Sequence, residues 1–80
     1  MIATAYVLIK VLAGQTKRVY QRLLKTEGVV NVDAISGPYD LIATVQGTDF
    51  NTIGRLVIDS IQTIEGIGDT LTCNVITFEV

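Results

Sequence analysis

The sequence predicts an α+β fold in which two β-α-β units follow one another along the chain. Three observations predict it. Eighty residues suit one small domain, strand-like and helix-like segments alternate in the order βαββαβ, and the chain weakly matches itself at an offset of 38 residues. At that offset the triplet Glu-Gly-Val at 27–29 corresponds to Glu-Gly-Ile at 65–67.

The first unit covers the N-terminal half of the chain. Residues 2–11 are rich in β-branched and aromatic side chains, which predicts a strand. Residues 16–26 place apolar side chains at helical spacing, with cations on the opposite side, and Gly28 is expected to end that helix. Residues 29–36 then read as a second strand.

The second unit repeats this order. Residues 40–46 form an apolar strand, and Thr48 or Asp49 can cap the following helix by accepting hydrogen bonds from its first N–H groups. Gly66 is expected to end the helix, and residues 69–80 form a long last strand. The inner face of this helix is predicted to carry Phe50, Ile53, Val57 and Ile61.

Two right-handed β-α-β units in so short a chain favour a ferredoxin-like fold, with one domain over residues 1–80. Its four-stranded antiparallel sheet would have both helices on one face and a second, uncovered face, which we call the outer face. Strand alternation places Leu71, Cys73 and Val75 of the last strand toward the helices, with Cys73 as a buried structural thiol. The outer face would then carry Tyr6, Leu8, Ile42, Ile76 and Phe78.

An apolar outer face predicts that the chain pairs with itself. Hydrophobic residues make up 49% of the sequence, which is more than a domain of this size can bury. Covering several hundred Å² of apolar surface is worth several kcal/mol, at about 25 cal/mol per Å². We therefore expect a homodimer in which two sheets pack face to face, with the outer-face residues as the interface.

Composition excludes several classes of function. The chain has no His, which rules out Ser–His and Cys–His catalysis and His-ligated metal sites. A single Cys and no long apolar segment suit a reducing, cytoplasmic location without membrane contact. The net charge of −2 argues against direct nucleic-acid binding, and four cations on the first helix are read as a solvated face. We expect no cofactor, no metal and no catalytic residue.

The segment Ser-Gly-Pro-Tyr-Asp at 36–40 stands between the second and third strands. Gly37 with positive φ, followed by Pro38, would explain a tight hairpin turn, but an ordinary turn needs neither Tyr39 nor Asp40. A purely structural interpretation has Tyr39 covering the sheet edge and Asp40 bonding to its local backbone. The residues alone leave a structural and a ligand-binding role open.

Residues 28–45 resemble the middle of the ligand-binding domain of Lrp/AsnC transcriptional regulators, known as the RAM domain. The family pattern is an apolar strand, Gly-x-Tyr/Phe-Asp, and another apolar strand. Here Gly37, Tyr39 and Asp40 match it. A second, weaker match is the Thr-x-Thr of the last strand, at Thr70 and Thr72. The resemblance covers essentially the whole chain.

This resemblance implies a ferredoxin-like dimer, assembly of dimers into rings such as octamers, and amino acids or related metabolites bound between dimers. Gly37, Tyr39 and Asp40 would form one wall of the pocket, where Asp40 pairs with an ammonium group or orders the loop. Thr70 and Thr72 would add hydroxyl groups. Typical members carry a helix-turn-helix domain before this one, so the chain is expected to act as a stand-alone domain, without its own DNA binding and by co-assembly with full-length regulators.

Two other functions stay open from the sequence. The chain can be a purely structural oligomerisation domain with a vestigial pocket. It can also be a small dimeric ferredoxin-like enzyme, although it has no His and no evident pair of carboxylates for acid–base chemistry. We expect that it is not an enzyme.

Overall fold

A computed structural model, which describes residues 2–79, has one antiparallel sheet with the strand order β2-β3-β1-β4. The strands are β1 (Ala3–Val11), β2 (Val29–Ala34), β3 (Leu41–Gly47) and β4 (Ile67–Asn74). Helix α1 spans Thr16–Leu24, and α2 spans Phe50–Leu56 and continues as a π-helical segment, Val57–Ile61. The predicted ferredoxin-like βαββαβ fold is confirmed.

The core lies between the helices and the two central strands. Alternate residues of β1 and β3 face it and are fully buried, as the strand pattern predicted: Ala5, Val7, Ile9, Leu41, Ala43 and Val45. The helices close the core with Val19, Leu23, Ile53, Val57 and Ile61. Phe50 is a wrong prediction for this inner face, because it lies in the first turn of α2 and is 45% exposed.

The second helix changes its winding after Leu56. Gln62 N–H donates to Val57 O at 2.8 Å, a hydrogen bond that spans five residues. The buried residues Ile53, Val57 and Ile61 are spaced by four, a spacing that drifts around a helix with 3.6 residues per turn. The wider π-turn reduces this drift, and so it keeps Ile61 against the sheet.

The two halves end their helices in the same way. Gly28 and Gly66, 38 residues apart, have φ of 92° and 104° and directly precede β2 and β4. Thr26 N–H donates to Leu23 O at 3.0 Å, and Ile64 N–H donates to Ile61 O at 3.0 Å, again at the same offset. The weak internal match in the sequence therefore reflects a repeated backbone geometry.

The last strand departs from the prediction in its face and its length. Opposite residues of an antiparallel pair share a face, and Leu8 and Tyr6 lie opposite Leu71 and Cys73. Leu71 and Cys73 are therefore on the outer face and exposed, so the predicted inward phase and the buried thiol are wrong. The inward set is polar: Thr70, Thr72 and Asn74 lie opposite Ile9, Val7 and Ala5.

A physical reason for this difference is that β4 is an edge strand. The helix α2 packs on β1 and β3, so the inward face of β4 needs no large apolar side chains. The strand also stops at Asn74 instead of reaching residue 80, and Val80 itself lies outside the described residues. Ile76 and Phe78 follow the end of β4 and continue the even-numbered series of Thr70, Thr72 and Asn74, which faces the helices, so their predicted place on the outer face is wrong. They are 75% and 79% exposed.

Candidate functional site

The loop that carries Gly37, Tyr39 and Asp40 joins β2 to β3. It is a series of bends over residues 36–40, closed by Ile35 N–H donating to Asp40 O at 2.9 Å. The predicted tight turn with positive φ at Gly37 is wrong. Within residues 2–79, left-handed φ occurs at Gly14, Gly28 and Gly66.

Asp40 fixes this loop to the end of β1. Its N–H donates to Ile9 O at 2.9 Å, and its carboxylate oxygen Oδ2 accepts from Val11 N–H at 2.9 Å. The β1–β3 ladder ends at the pair Ile9–Leu41, so the carboxylate adds one more rung in place of a backbone carbonyl. Of the two roles expected for Asp40, ordering the loop is therefore visible in the structure.

Tyr39 lies against a cation that the sequence analysis did not single out. The Lys10 Nζ atom is 5.6 Å from the centroid of the Tyr39 ring, a distance at which a cation is attracted to the ring face. Lys10 lies opposite Asp69 in the β1–β4 register. We call Lys10, Tyr39, Asp40 and Asp69 the loop corner. The strand pattern could have identified Lys10, because it is the one cation of the sequence that lies in a predicted strand.

Thr70 and Thr72 lie on the other face of the sheet. Gln62 Nε2 donates to Thr70 Oγ1 at 2.9 Å, which ties β4 to the turn after the π-helical segment. Thr72 lines a cleft of about 330 Å³ between β4 and the second helix. Sequence reasoning missed Gln62, since only the fold brings it over β4.

The predicted site residues therefore form two groups within one chain. Thr70 lies opposite Ile9, which lies opposite Leu41, the residue after Asp40. Two strand spacings separate the groups laterally, or roughly 10 Å. Because Tyr39 lies near an outer-face lysine and the threonines face the helices, the two groups do not line one wall in a single subunit.

A basic cleft of about 430 Å³ lies on the helical side of the protein, between α1 and the turn before β4. Arg18, Arg22 and Lys25 line it, together with Glu65. The Arg18 Nη2 to Glu65 Oε2 distance is 3.0 Å, but both side chains are largely exposed. Such surface ion pairs are worth at most about 1 kcal/mol, which fits the predicted solvated face.

Neither a metal cluster nor a membrane span stands out in the part of the chain that the structure describes. Across residues 2–79, no three His, Cys, Asp or Glu side chains come together as metal ligands. No helix within the same residues has the length and hydropathy needed to cross a bilayer.

The family model of the Lrp/AsnC ligand binding domain matches residues 4–77. An uncharacterized HTH-type transcriptional regulator of Pyrococcus abyssi is 38% identical over 72 residues, which are 86% of this chain and 48% of that protein. The chain thus spans about half the length of the curated regulators that it matches.

Solved structures agree with this match. The protein TTHA0845 of Thermus thermophilus superposes with a TM-score of 0.89 and 27% identity, covering 98% of each chain. A Neisseria meningitidis transcriptional regulator, solved as a complex with L-Met, has a TM-score of 0.83 and 19% identity, over 94% of this chain and 50% of that one. The second likeness shows the fold alone.

One enzyme also shares a segment with the chain. Homocitrate synthase of Saccharolobus islandicus is 40% identical over 57 residues, which are 71% of this chain but 12% of the enzyme. The shared segment is thus a small part of that enzyme, and the family match favours a regulatory domain over a catalytic one.

Proposed function

The chain belongs to the Lrp/AsnC ligand-binding domain family, and from this premise we propose that it senses an amino acid or a related small metabolite and oligomerises. The observation that carries the proposal is the loop corner. Its backbone is fixed by the Asp40 carboxylate, and the Tyr39 ring lies 5.6 Å from the Lys10 Nζ atom. A preformed corner lowers the entropy that a ligand would otherwise lose on ordering the loop.

The ligand is proposed to bind between subunits. The loop corner and the Thr70–Thr72 pair are separated by two strands and face different sides of the sheet. A small molecule that touches both types of group would therefore take them from different copies of the chain. This agrees with the site that the family resemblance implies, in which amino acids lie between dimers.

The dimer is proposed to form through the outer face. Tyr6 and Leu71 are 47% and 48% exposed there, and Leu8 and Ile42 are half-buried beside them. Leu71 and Cys73 take the places on this face that the sequence prediction gave to Ile76 and Phe78. An antiparallel sheet with a solvated face would carry mostly polar residues at these positions.

Thermal melting and calorimetry against the twenty amino acids test ligand binding. L-methionine is included because the Neisseria regulator was solved with it. A ligand at 100 times its Kd should add about 2.7 kcal/mol to the free energy of unfolding. No heat and no change in Tm with any amino acid at millimolar concentration would count against the proposal.

Two substitutions of Asp40 separate its possible roles. Asp40→Ala removes both the charge and the acceptor for Val11 N–H, so we expect ligand binding to be lost while the dimer remains. Asp40→Asn keeps an acceptor oxygen but removes the charge. Loss of binding in both variants identifies an ammonium partner, whereas binding retained in Asp40→Asn identifies a loop-ordering role. Asp59→Ala, at an exposed helical carboxylate, is the control.

We propose further that the domain acts in the cytoplasm, in transcription regulation, without DNA contact of its own and without catalysis. Its dimers would assemble into rings such as octamers and co-assemble with full-length Lrp/AsnC regulators. Co-expression with a tagged full-length relative, followed by affinity purification, tests this: the tagged protein should retain this domain. Recovery of the tagged regulator alone would contradict co-assembly.

A second candidate function is a purely structural oligomerisation domain. One observation favours it, which is that an Asp40 carboxylate oxygen is already occupied by Val11 N–H. In this case the assembly would keep the same mass, and the same Tm, with or without every amino acid tested. A ligand-dependent change in either quantity would exclude it.

A further inference from the structure

We propose that the free edge of β4 and the segment after it, residues 75–79, form a second self-association surface, at which two copies pair their edges antiparallel. The surface is separate from the outer face. It does not depend on ligand binding, and its occupant is a second copy of this chain.

The free edge of β4 offers unpaired backbone groups. Val75 N–H donates to Thr4 O at 2.9 Å, so the peptide groups of odd-numbered residues here point toward β1. Because these groups alternate along a strand, those of Thr72 and Asn74 point away from the sheet. Consistent with this alternation, Thr70 N–H is met by the side chain of Asp69, at 2.9 Å, and not by β1.

The usual protection against pairing is confined to the start of this edge, where Asp69 is exposed and the register shifts at Gly68. Natural edge strands carry charges, prolines or bulges that prevent association. Residues 70–78 contain no charged residue and no proline. The opposite edge, β2, carries an exposed Asp33 within its six residues. The uncharged stretch at residues 70–78 is longer than the one in β2, residues 29–32, so β4 and the segment after it are better suited to receive another strand.

The cleft beside this edge is mixed in character. Its helical wall is mostly apolar, and its floor is polar: it is lined by Phe50, Ile53, Gly54, Val57, Ile58, Gln62, Thr72 and Asn74. Ile58 is 61% exposed here. No charged side chain lines it, so it suits apolar side chains more than a charged ligand.

Residues Ile76 and Phe78 have the phase to enter that cleft on a second copy. They continue the even-numbered series of Thr70, Thr72 and Asn74, whose side chains face the helices. In an added antiparallel strand of the same phase, the even-numbered side chains lie beside the even-numbered side chains of the first copy, on the same face of the sheet. The two most exposed large apolar residues of the described chain would then be covered.

Charge and the position of Phe78 each exclude one register. Pairing about Asn74 would set Glu79 opposite Asp69, and like charges placed directly opposite each other destabilise a ladder. Pairing about Cys73 would carry Phe78 past the cleft to the bulge at Gly68. Pairing about Val75 sets Phe78 opposite Thr72 and Ile76 opposite Asn74, with no like charges facing. The resulting contact is isologous, as a two-fold axis requires.

The mass of the assembly, measured by sedimentation velocity, tests the surface. The double variant Ile76→Lys/Phe78→Lys changes exposed side chains outside the strands, so the fold should persist, which circular dichroism can check. We expect the number of subunits in the assembly to fall by a factor of two. Leu24→Lys, which changes an exposed leucine on α1, should leave the mass unchanged.

A cysteine trap tests the register. In a Cys73→Ser background, Val75→Cys would place two thiols at a non-hydrogen-bonded pair, where Cα atoms lie about 4.5 Å apart, within disulfide range. Oxidation should give a covalent dimer, and adding the two lysine substitutions should abolish it. Cross-linking that survives the lysines would arise from the outer face and would overturn the proposed pairing.

Other results would overturn the proposal as well. A wild-type monomer at micromolar concentration, or an unchanged mass in the lysine variant, would show that the edge does not pair. An unchanged mass together with a rise in Tm on adding L-leucine that persists in Asp40→Ala would assign the cleft to a small molecule. A dimer that the lysine variant turns into a monomer would support the edge while contradicting the outer-face dimer.

Discussion

The two β-α-β units of this protein have the same turn geometry after their helices but differ in whether the helix covers the edge strand. In the first unit, α1 packs over β2, and Val32 of that edge is buried in the core. In the second unit, α2 packs over β1 and β3, and none of the core residues identified within residues 2–79 comes from β4. The repeat thus provides one covered edge and one open edge, and the open edge carries the proposed association surface and two predicted ligand residues.

Core positions that correspond between the two units should contribute equally to the free energy of unfolding. Leu23 and Ile61 are 38 residues apart, and both are fully buried. Leu23→Ala and Ile61→Ala should each lower the free energy of unfolding by about 2–5 kcal/mol, through lost burial and a residual cavity. Urea denaturation measures this, with the exposed Leu24→Ala as a control that should change little. A much smaller loss at Ile61 would mean that the π-helical segment repacks.

The two glycines that end the helices should differ in how much their substitution by alanine destabilises the protein. Both have left-handed φ, where a side chain costs roughly 1–2 kcal/mol. At Gly28 a Cβ would lie 2.8 Å from the flexible end of Leu56, which can move. At Gly66 it would lie 3.0 Å from Val19 Cγ2 and from Gln15 Cβ, which are held by α1. We therefore expect Gly66→Ala to destabilise more than Gly28→Ala in thermal melting. Equal losses would show that strain in φ alone decides the cost.

The smallest expected effect concerns the helix caps. The charge of the α2 cap should change the stability of the protein measurably only at acid pH. The second helix has a side-chain cap, since Asp49 Oδ1 accepts from Thr52 N–H at 2.7 Å, whereas Gln15 provides none for α1. Hydrogen bonds from the backbone and then the side chain of Thr52 lower the pKa of Asp49 from its ordinary value. A lowered pKa in the folded state contributes stability above the unfolded pKa, and this contribution is lost as pH falls through the folded pKa.

Substitution by asparagine isolates this contribution. Asp49→Asn keeps a capping oxygen but cannot titrate. The Tm of the wild type should therefore fall slightly more steeply than that of Asp49→Asn below about pH 4, and the two should run parallel near pH 7. Parallel curves throughout the acid range would show that the cap carries no charge-dependent stability.

The sequence predicted the fold well because its central strands have clear patterns. In β1 and β3 one set of alternate residues is wholly apolar, so their inward faces could be identified without a structure. In the predicted last strand, residues 69–80, both sets mix Thr with apolar residues, and alternation alone could not decide which set faces the helices. The pairing of Leu8 with Leu71 in the structure shows which set faces the helices. The register between strands that are far apart in the chain cannot be predicted from the sequence of either strand alone.

The candidate site was only partly predictable for a similar reason. The motif drew attention to Tyr39 and Asp40, but the acceptor role of Asp40 depends on where β1 ends beside β3. Lys10 and Gln62 reach the predicted residues only through tertiary structure. Contacts between residues far apart in the chain follow from packing, whereas motifs report local pattern.

The strand order has a consequence for how this polypeptide can be made and broken. In the order β2-β3-β1-β4, every hydrogen-bonded pair of strands joins one half of the sequence to the other. Neither half contains a single ladder of its own, so a fragment cut within residues 36–38 would have two unmatched strands and no sheet. Each fragment should be disordered when it is alone. The two should recover structure only when mixed, because each supplies the strands that pair with those of the other.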